Sequence, residues 1–157
     1  MNHPFLKSPL GESPVIMEAE FNASVSRLFK AWTTTDDIRV WFGAGEGGPE
    51  HASIDLKIDG RWQFAFAEKD GEQDILSGHY LEIETDKRLV FSWMHTRVLS
   101  NGDTEVSPVS KVSISFESRG SGSRLKLVHE SISSDSARSN IGGGWSRSLV
   151  KLKDIIE

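Results

Sequence analysis

The sequence predicts an α+β fold in which an antiparallel sheet packs against one long C-terminal helix. An opening strand is followed by two segments of helical periodicity, the middle of the chain alternates with a period of two, and the last segment returns to helical spacing. A sheet that is apolar on one face needs a cover, and the final helix is the one long enough to provide it. We expect a single domain over residues 13–157, preceded by a loose N-terminal arm over residues 1–12.

The N-terminal elements are a strand and two short helices. The segment VIMEAEF, residues 15–21, alternates between apolar and polar side chains and predicts a strand. In NASVSRLFKAWTT the apolar residues recur at helical spacing, with Asn22 or Ser24 as the N-cap. A second short helix is predicted with Thr35 as its N-cap, acidic residues in its first turn and Gly43 as its stop.

Period-two alternation predicts the strands that follow. ASIDLKIDG places Ile54, Leu56 and Ile58 on one face, and RWQFAFAEKDG places its aromatic residues on one face before an Asp-Gly turn. SGHYLEIETDKRLVFSW predicts two strands joined by a turn, and KVSISFESRGSGSRLKLVHES predicts a hairpin. GGGWSRSLVKLKDIIE predicts a helix from about residue 144. Whether it begins earlier, near residues 134–135, stays open because each of the three glycines weakens a helix by up to about 1 kcal/mol.

The pairing of the central strands determines which side chains meet. A turn around residue 86 sets His79 opposite Trp93 and Ser77 opposite His95. The more apolar row is expected to face the core, and it carries both of these histidines. The row consists of Ser77, His79, Leu81, Ile83, Leu89, Phe91, Trp93 and His95.

A third histidine is expected close to this row. A four-residue turn over residues 119–122 sets Val112 opposite His129. If the connection over residues 98–109 lets His95 pair with Val112, the two histidines flank one strand at a separation of about 10 Å. A ligand could bridge that separation.

Composition excludes several classes of partner. The net charge of −5 and the pI near 5.6 argue against a nucleic-acid partner and against a polybasic membrane-binding surface. No apolar run approaches the roughly 20 residues that span a bilayer, and the first residues do not resemble a signal peptide. The absence of cysteine excludes disulfides, thiolate catalysis and Cys-ligated zinc. We expect a cytoplasmic protein.

Five motifs occur in the order and spacing typical of one family: FNASVSRLFKAWTTTDDIRVWFG, IDGRWQFAF, SGHYLEIETDKRLVFSW, SRLKLVHES and GGGWSRSLVKL. Over residues 15–157 the chain resembles the family of the activator of heat-shock-protein-90 ATPase homologues, within the START-like (SRPBCC) superfamily. The resemblance implies a helix-grip fold: a curved antiparallel sheet wrapped around the C-terminal helix, two short helices after the first strand, and a cavity between sheet and long helix. It implies no common reaction. The activator that names the family has an additional N-terminal docking domain, for which this chain has no room, so ATPase activation is not expected.

Aromatic side chains and histidines collect on the inward-facing rows. We interpret them as the lining of a cavity that binds a small, largely apolar molecule, with the histidines as polar anchors. The predicted lining consists of Trp62, Phe64, Phe66, Ser77, His79, Phe91, Trp93, His95, His129 and Trp145. The alternative interpretation is a solid core in which a neighbour satisfies each imidazole.

Other chemistries have less support in the sequence. Zinc ligation needs three nitrogens about 2.0–2.1 Å from one point, which strands two apart do not readily provide, so no metal and no cofactor is expected. The glycine-rich segment over residues 43–51 lacks the Lys-Ser/Thr of a phosphate loop and is interpreted as an ordinary loop or a lid. No serine lies in a nucleophile elbow, and no buried carboxylate pair is predicted.

Two further functional classes stay open. One is an enzyme of the cyclase or dehydratase kind that uses His79, His95 or His129 as general acid or base. The other is a chaperone-associated interaction module, which would need an exposed apolar patch, expected on the two short helices. Binding without catalysis is preferred because the sequence shows neither feature plainly. Neither the ligand nor the oligomeric state follows from the sequence.

Overall fold

The computed structural model describes residues 5–9, 14–43, 45, 47–132 and 135–157, and of residues 135–139 it describes the backbone alone. Within these ranges eight strands and three helices succeed one another. They are β1 (Val15–Phe21), α1 (Val25–Thr33), α2 (Thr35–Trp41), β2 (His51–Ile54), β3 (Arg61–Ala65), β4 (Gln73–Glu84), β5 (Arg88–Val98), β6 (Thr104–Val106), β7 (Ser110–Arg119), β8 (Gly122–Glu130) and α3 (Asp135–Ile156).

The strands form one curved antiparallel sheet in the order β1-β8-β7-β5-β4-β3-β2, and β6 pairs separately with β5. The apolar row of β1, which includes Met17, is buried on the side of the sheet where α3 lies. On α3 the side chains of Trp145, Leu149 and Leu152 are buried in the same core. The predicted α+β helix-grip fold is therefore confirmed.

Local sequence accounts for the helix boundaries. Ser24 is the N-cap of α1, because its Oγ accepts a hydrogen bond from the Arg27 backbone N–H at 3.1 Å. The Arg27 guanidinium binds the Asp37 carboxylate through two bonds of 2.8 and 3.3 Å, which join α1 to α2. The α2 helix begins at Thr35 but has Thr34 as its N-cap, one residue earlier than predicted.

Residues 5–8, part of the predicted arm, are hydrogen-bonded along β1 rather than lying free. The Lys7 N–H donates to the Ile16 carbonyl at 2.8 Å, and the Glu18 N–H donates to the Phe5 carbonyl at 3.0 Å. Residues 1–4 and 10–13 lie outside the described residues, and with them the rest of the predicted arm.

The second predicted strand is shorter than its alternation suggests. β2 ends at Ile54, and Leu56 and Ile58 are 42% and 56% exposed rather than buried in one row with it. The chain turns instead at Asp59, which has a φ of 63°, and the Asp55 N–H closes the loop by donating to the Arg61 carbonyl. An Asp-Gly turn thus overrides the apolar alternation here.

A β-bulge in β4 shifts the β4–β5 register by one residue. The pair Glu84–Arg88 at the turn is as predicted. Beyond the bulge, which lies between Tyr80 and Glu82, the strands pair one residue out of the predicted register, and Tyr80 lies opposite Phe91. Because side chains alternate along a strand, a shift of one residue moves every subsequent side chain of β4 to the opposite face.

The bulge corrects the predicted inward row. His79 is exposed, and its backbone N–H donates to Ser92 Oγ at 2.9 Å, so the predicted pair with Trp93 is wrong. Ser77 is buried but lies opposite Met94 instead of His95. The row that faces inward on this part of β4 consists of Asp74, Leu76, Gly78 and Tyr80.

The β5–β7 register also differs from the expectation, whereas the β7–β8 hairpin does not. β5 pairs Phe91 with Val112 and Trp93 with Ser110, so His95 does not pair with Val112. The predicted pair of Val112 with His129 is present. His95 lies beyond the end of β7, where its backbone N–H donates to Ser107 Oγ at 2.9 Å.

Candidate functional site

A cavity of about 640 Å³ opens between one end of the sheet and α3. Its apolar wall includes Phe42, Phe66, Leu76, Trp93, Ile141 and Trp145. Its polar groups include Asp74, His95, Arg97, Ser110, Asn140 and Ser148. Apolar surface with a few polar groups is the usual composition of a small-molecule site.

Strand β5 gives the cavity a buried end and an exposed end. Trp93, His95 and Arg97 alternate along the strand, and all three line the cavity. Trp93 is buried, whereas the side chains of His95 and Arg97 are 39% and 47% exposed. The polarity of the wall therefore rises toward solvent.

Three charged or titratable groups meet at the exposed end. His95 Nε2 lies 2.8 Å from Asp74 Oδ1, and the Arg97 Nε–H donates to the same oxygen at 3.2 Å. Partial burial raises the pKa of Asp74, but the hydrogen bonds from His95 and Arg97 and their charges outweigh this and hold the pKa below its ordinary value. Asp74 is thus ionised at neutral pH and fixes the orientation of the His95 ring.

His129 occupies the centre of a buried hydrogen-bond chain. The Trp145 Nε1–H donates to His129 Nδ1 at 3.1 Å, and His129 Nε2 lies 2.7 Å from Ser110 Oγ. Ser110 Oγ in turn lies 3.5 Å from the Trp93 carbonyl oxygen. Burial lowers the pKa of His129 from 6.5 to about 3, so the ring is neutral at physiological pH.

The direction of these hydrogen bonds excludes a nucleophilic Ser–His pair. The indole N–H can only donate, so His129 Nδ1 must be the acceptor and the ring proton must be on Nε2. A ring nitrogen that already carries a proton cannot take one from Ser110. His129 therefore acts as a hydrogen-bond donor to Ser110 and not as its base.

The glycine-rich loop after α2 is fastened to α3 beside the cavity. The Gly43 N–H donates to Ser148 Oγ at 3.1 Å, and Lys151 Nζ donates to the carbonyls of Gly45 and Gly47 at 2.6 and 3.2 Å. Gly43 has a φ of 105°, and a Cβ at this position would lie 2.6 Å from the Phe66 ring. Gly43 and Gly45 line the cavity, so the loop forms part of its wall, and residues 44 and 46 lie outside the described residues.

Three of the predicted lining residues belong to the packing beside the cavity. Trp62, Phe64 and Phe91 border a separate void of about 10 Å³, the space of about one water molecule. Phe42 borders both spaces, and its ring centroid lies 4.9 Å from that of Phe64 and 5.6 Å from that of Trp145. The Phe42 ring is therefore the partition between them.

The structure brings some of the predicted site residues together and separates others. Phe66, Trp93, His95 and Trp145 line the cavity, and His129 lies directly behind Ser110 and Trp145. Ser77 is buried within the sheet and is not among the described lining residues, and His79 is exposed on the outer face.

Sequence reasoning missed several lining residues. Arg97 was recognisable, since it continues the alternation of Trp93 and His95, and Ser110 alternates with Val112 in the same way. Asp74 and Leu76 were not, because the bulge in β4 reverses their face.

No group of three or more His, Cys, Asp or Glu side chains is arranged to hold a metal ion within the part of the chain that the structure describes. In the same part, no helix is both long enough and apolar enough to cross a bilayer.

A family model described as "Activator of Hsp90 ATPase homolog 1-like protein" matches residues 22–157. The chain belongs to this family. Membership in the Activator of Hsp90 ATPase homolog 1-like family confirms the resemblance found in the sequence and agrees with the helix-grip fold described above. No curated protein matches the chain.

Solved structures share the fold of this family member. A protein of Nitrosomonas europaea superposes with a TM-score of 0.73 at 19% identity over 91% of this chain and 93% of its own. A protein of Rhizobium leguminosarum gives 0.73 at 20% identity over 92% and 93%. CalU16 of Micromonospora echinospora gives 0.65 at 25% identity over 92% of this chain and 76% of its own. The first two likenesses show the fold alone.

Proposed function

We propose that this protein binds a small, largely apolar molecule with at least one polar group in the cavity between the sheet and α3. The family fold suggests a ligand-binding domain. The observation that supports the finer proposal is the cavity itself, since about 640 Å³ lies within the roughly 300–1,000 Å³ typical of small-molecule sites.

The two ends of the cavity define which chemical groups a ligand needs. Trp93 and Trp145 are buried, with ring centroids 5.4 Å apart, and present apolar surface to a ligand body. Arg97 and His95 lie at the exposed end, where a polar or anionic group stays partly hydrated. An aromatic body with a polar substituent fits both ends.

The fluorescent compound 1-anilinonaphthalene-8-sulfonate tests the proposal, because it combines aromatic rings with an anionic group. We expect saturable binding with increased emission. Leu76→Trp places a larger side chain in the cavity wall and is expected to weaken binding by at least about tenfold, equivalent to about 1.4 kcal/mol. Leu81→Trp is the matched control on the same strand, at an exposed position.

Equal affinities of the two variants would place the dye elsewhere on the protein and refute cavity binding. Native mass spectrometry of the purified protein provides an independent measurement, since a co-purified small molecule lost from the Leu76→Trp variant would identify the natural ligand class.

A second candidate function is proton transfer by His95. Asp74 binds Nε2 of the ring, and Nδ1 has no hydrogen-bond partner among the described residues, which is the arrangement of an oriented general base. Such a base would move a proton from the methyl carbon of 2-acetylnaphthalene to Nδ1 and return solvent deuterium to that carbon. Deuterium incorporation in D₂O that is faster with the protein than with His95→Gln would support this function, and equal rates would refute it.

The short helices offer little to a chaperone partner. On α1 and α2 the described large apolar side chains are mostly buried, including Leu28, Phe29 and Ile38, and Val40 is the exposed exception. A single exposed valine is common on protein surfaces and does not form a docking patch. Ligand binding is therefore preferred to a chaperone-related role.

A further inference from the structure

We infer that the Ser110 hydroxyl is a dedicated hydrogen-bond donor at the buried end of the cavity, so that the site selects ligands with an acceptor there, such as a ketone oxygen. This inference rests on the proposed function and names the chemical class of ligand for the same cavity. Its basis is the direction of the hydrogen bonds that converge on Ser110.

The direction of the chain is fixed at its first member. The indole nitrogen of Trp145 has a proton and no lone pair available, so the 3.1 Å contact with His129 Nδ1 has one possible direction. The ring of His129 is fully buried and neutral, and its single proton is therefore on Nε2. Across the 2.7 Å contact His129 donates and Ser110 Oγ accepts.

Ser110 is left with its own proton to donate. Within the described residues its acceptor is the Trp93 carbonyl oxygen at 3.5 Å, well beyond the roughly 2.7–2.8 Å of a typical O–H···O bond. Ser110 as a whole is 6% exposed, and it lines the cavity. A buried donor with so weak a partner gains most from a ligand atom that accepts its proton.

Accepting from His129 also strengthens Ser110 as a donor, because hydrogen bonds in a chain polarise one another. A ligand that donates an N–H or O–H to Ser110 has to compete for Oγ, because one lone pair of this oxygen already accepts from His129. Such a ligand also leaves the Ser110 proton with its distant acceptor, the Trp93 carbonyl oxygen. Acceptors such as ketone, ester or carboxylate oxygens are therefore preferred at this end of the cavity.

Two probes of the same shape isolate the Ser110 bond. 2-Acetylnaphthalene presents a carbonyl oxygen, and 2-isopropenylnaphthalene replaces that oxygen with a methylene group. Both are titrated against bound 1-anilinonaphthalene-8-sulfonate. Ser110→Ala is expected to raise the Kd of the ketone roughly three- to tenfold, the range of one net hydrogen bond, and to leave the Kd of the alkene within about twofold.

Ser113→Ala is the matched control, since it removes a hydroxyl from the same strand on the opposite face. Equal changes for ketone and alkene in Ser110→Ala would overturn the inference and leave the proposed cavity binding intact. Failure of the wild-type protein to bind the dye and both naphthalenes would overturn the proposed function itself.

A spectroscopic measurement on the wild-type protein needs no variant and keeps the inference falsifiable if Ser110→Ala does not fold. The carbonyl carbon of ¹³C-labelled 2-acetylnaphthalene shifts downfield when its oxygen accepts a hydrogen bond. A bound-state resonance at the position observed in an alcohol supports donation by the protein. A resonance at the position observed in a hydrocarbon solvent overturns it.

Discussion

Deletion of residues 144–157 is expected to abolish cooperative unfolding. The deleted part of α3 carries Trp145, Leu149 and Leu152, which are buried against the apolar face of the sheet. Each fully buried side chain of this kind contributes about 1.5–3 kcal/mol, and whole domains have a net stability of about 5–15 kcal/mol. Loss of the helix therefore removes a large fraction of the net stability of the domain, and calorimetry should show no sharp unfolding transition.

Point variants separate the packing of α3 from the effect of truncation. Leu149→Ala is expected to lower the free energy of unfolding by about 2–5 kcal/mol, because it leaves a cavity at a fully buried position. Val150→Ala, at an exposed position of the same helix, should change it by about 0.5 kcal/mol or less. A truncated chain that still melts sharply would show that another segment covers the sheet.

Stability is expected to fall by about 2 kcal/mol between pH 7 and pH 5 because of His129 alone. The pKa of this histidine is about 3 in the folded protein and 6.5 in the unfolded chain. Below pH 6.5 the unfolded state therefore binds more protons than the folded state. The free energy of unfolding therefore falls by about 1.4 kcal/mol for each pH unit below 6.5. The stability that depends on the neutral His129 ring is fully present only above pH 6.5.

Urea unfolding at pH 7 and pH 5 measures this effect, since most carboxylates stay ionised over that window. His129→Leu should be less stable at pH 7, because Trp145 and Ser110 lose a partner, but its stability should vary less with pH. His79→Leu removes an exposed histidine and should keep the pH dependence of the wild type. An unchanged slope in His129→Leu would show that His129 is not buried as a neutral ring.

Periodicity predicted most of the fold because burial and alternation agree in most elements. β1 is a seven-residue strand with the predicted bounds, and the β7–β8 hairpin has the predicted register, since its short turn leaves no alternative pairing. The prediction failed at Leu56 and Ile58, where three apolar residues continue the alternation into a turn. Turn geometry there is determined by Asp59 and Gly60 and not by hydrophobicity.

The site was less predictable than the fold for a physical reason. A cavity lies where the packing of the sheet against α3 ends, and that place depends on the register of several strands at once. β5 presented Trp93 and His95 as expected, because it has no bulge. The partner of His95 was missed because Asp74 comes before the bulge of β4, and no residue type at the bulge identifies it.

The bulge between Tyr80 and Glu82 also means that the chemistry of the cavity is encoded partly in the register of the backbone. If β4 paired with β5 without this bulge and with an unchanged sequence, Asp74 and Leu76 would turn toward solvent and Ser77 and His79 would turn inward. A slip of the backbone by one residue would thus exchange a carboxylate for an imidazole without any substitution. Relatives that share these residues but lack the bulge are therefore expected to bind different molecules, and comparing them residue by residue would align an inner wall with an outer surface.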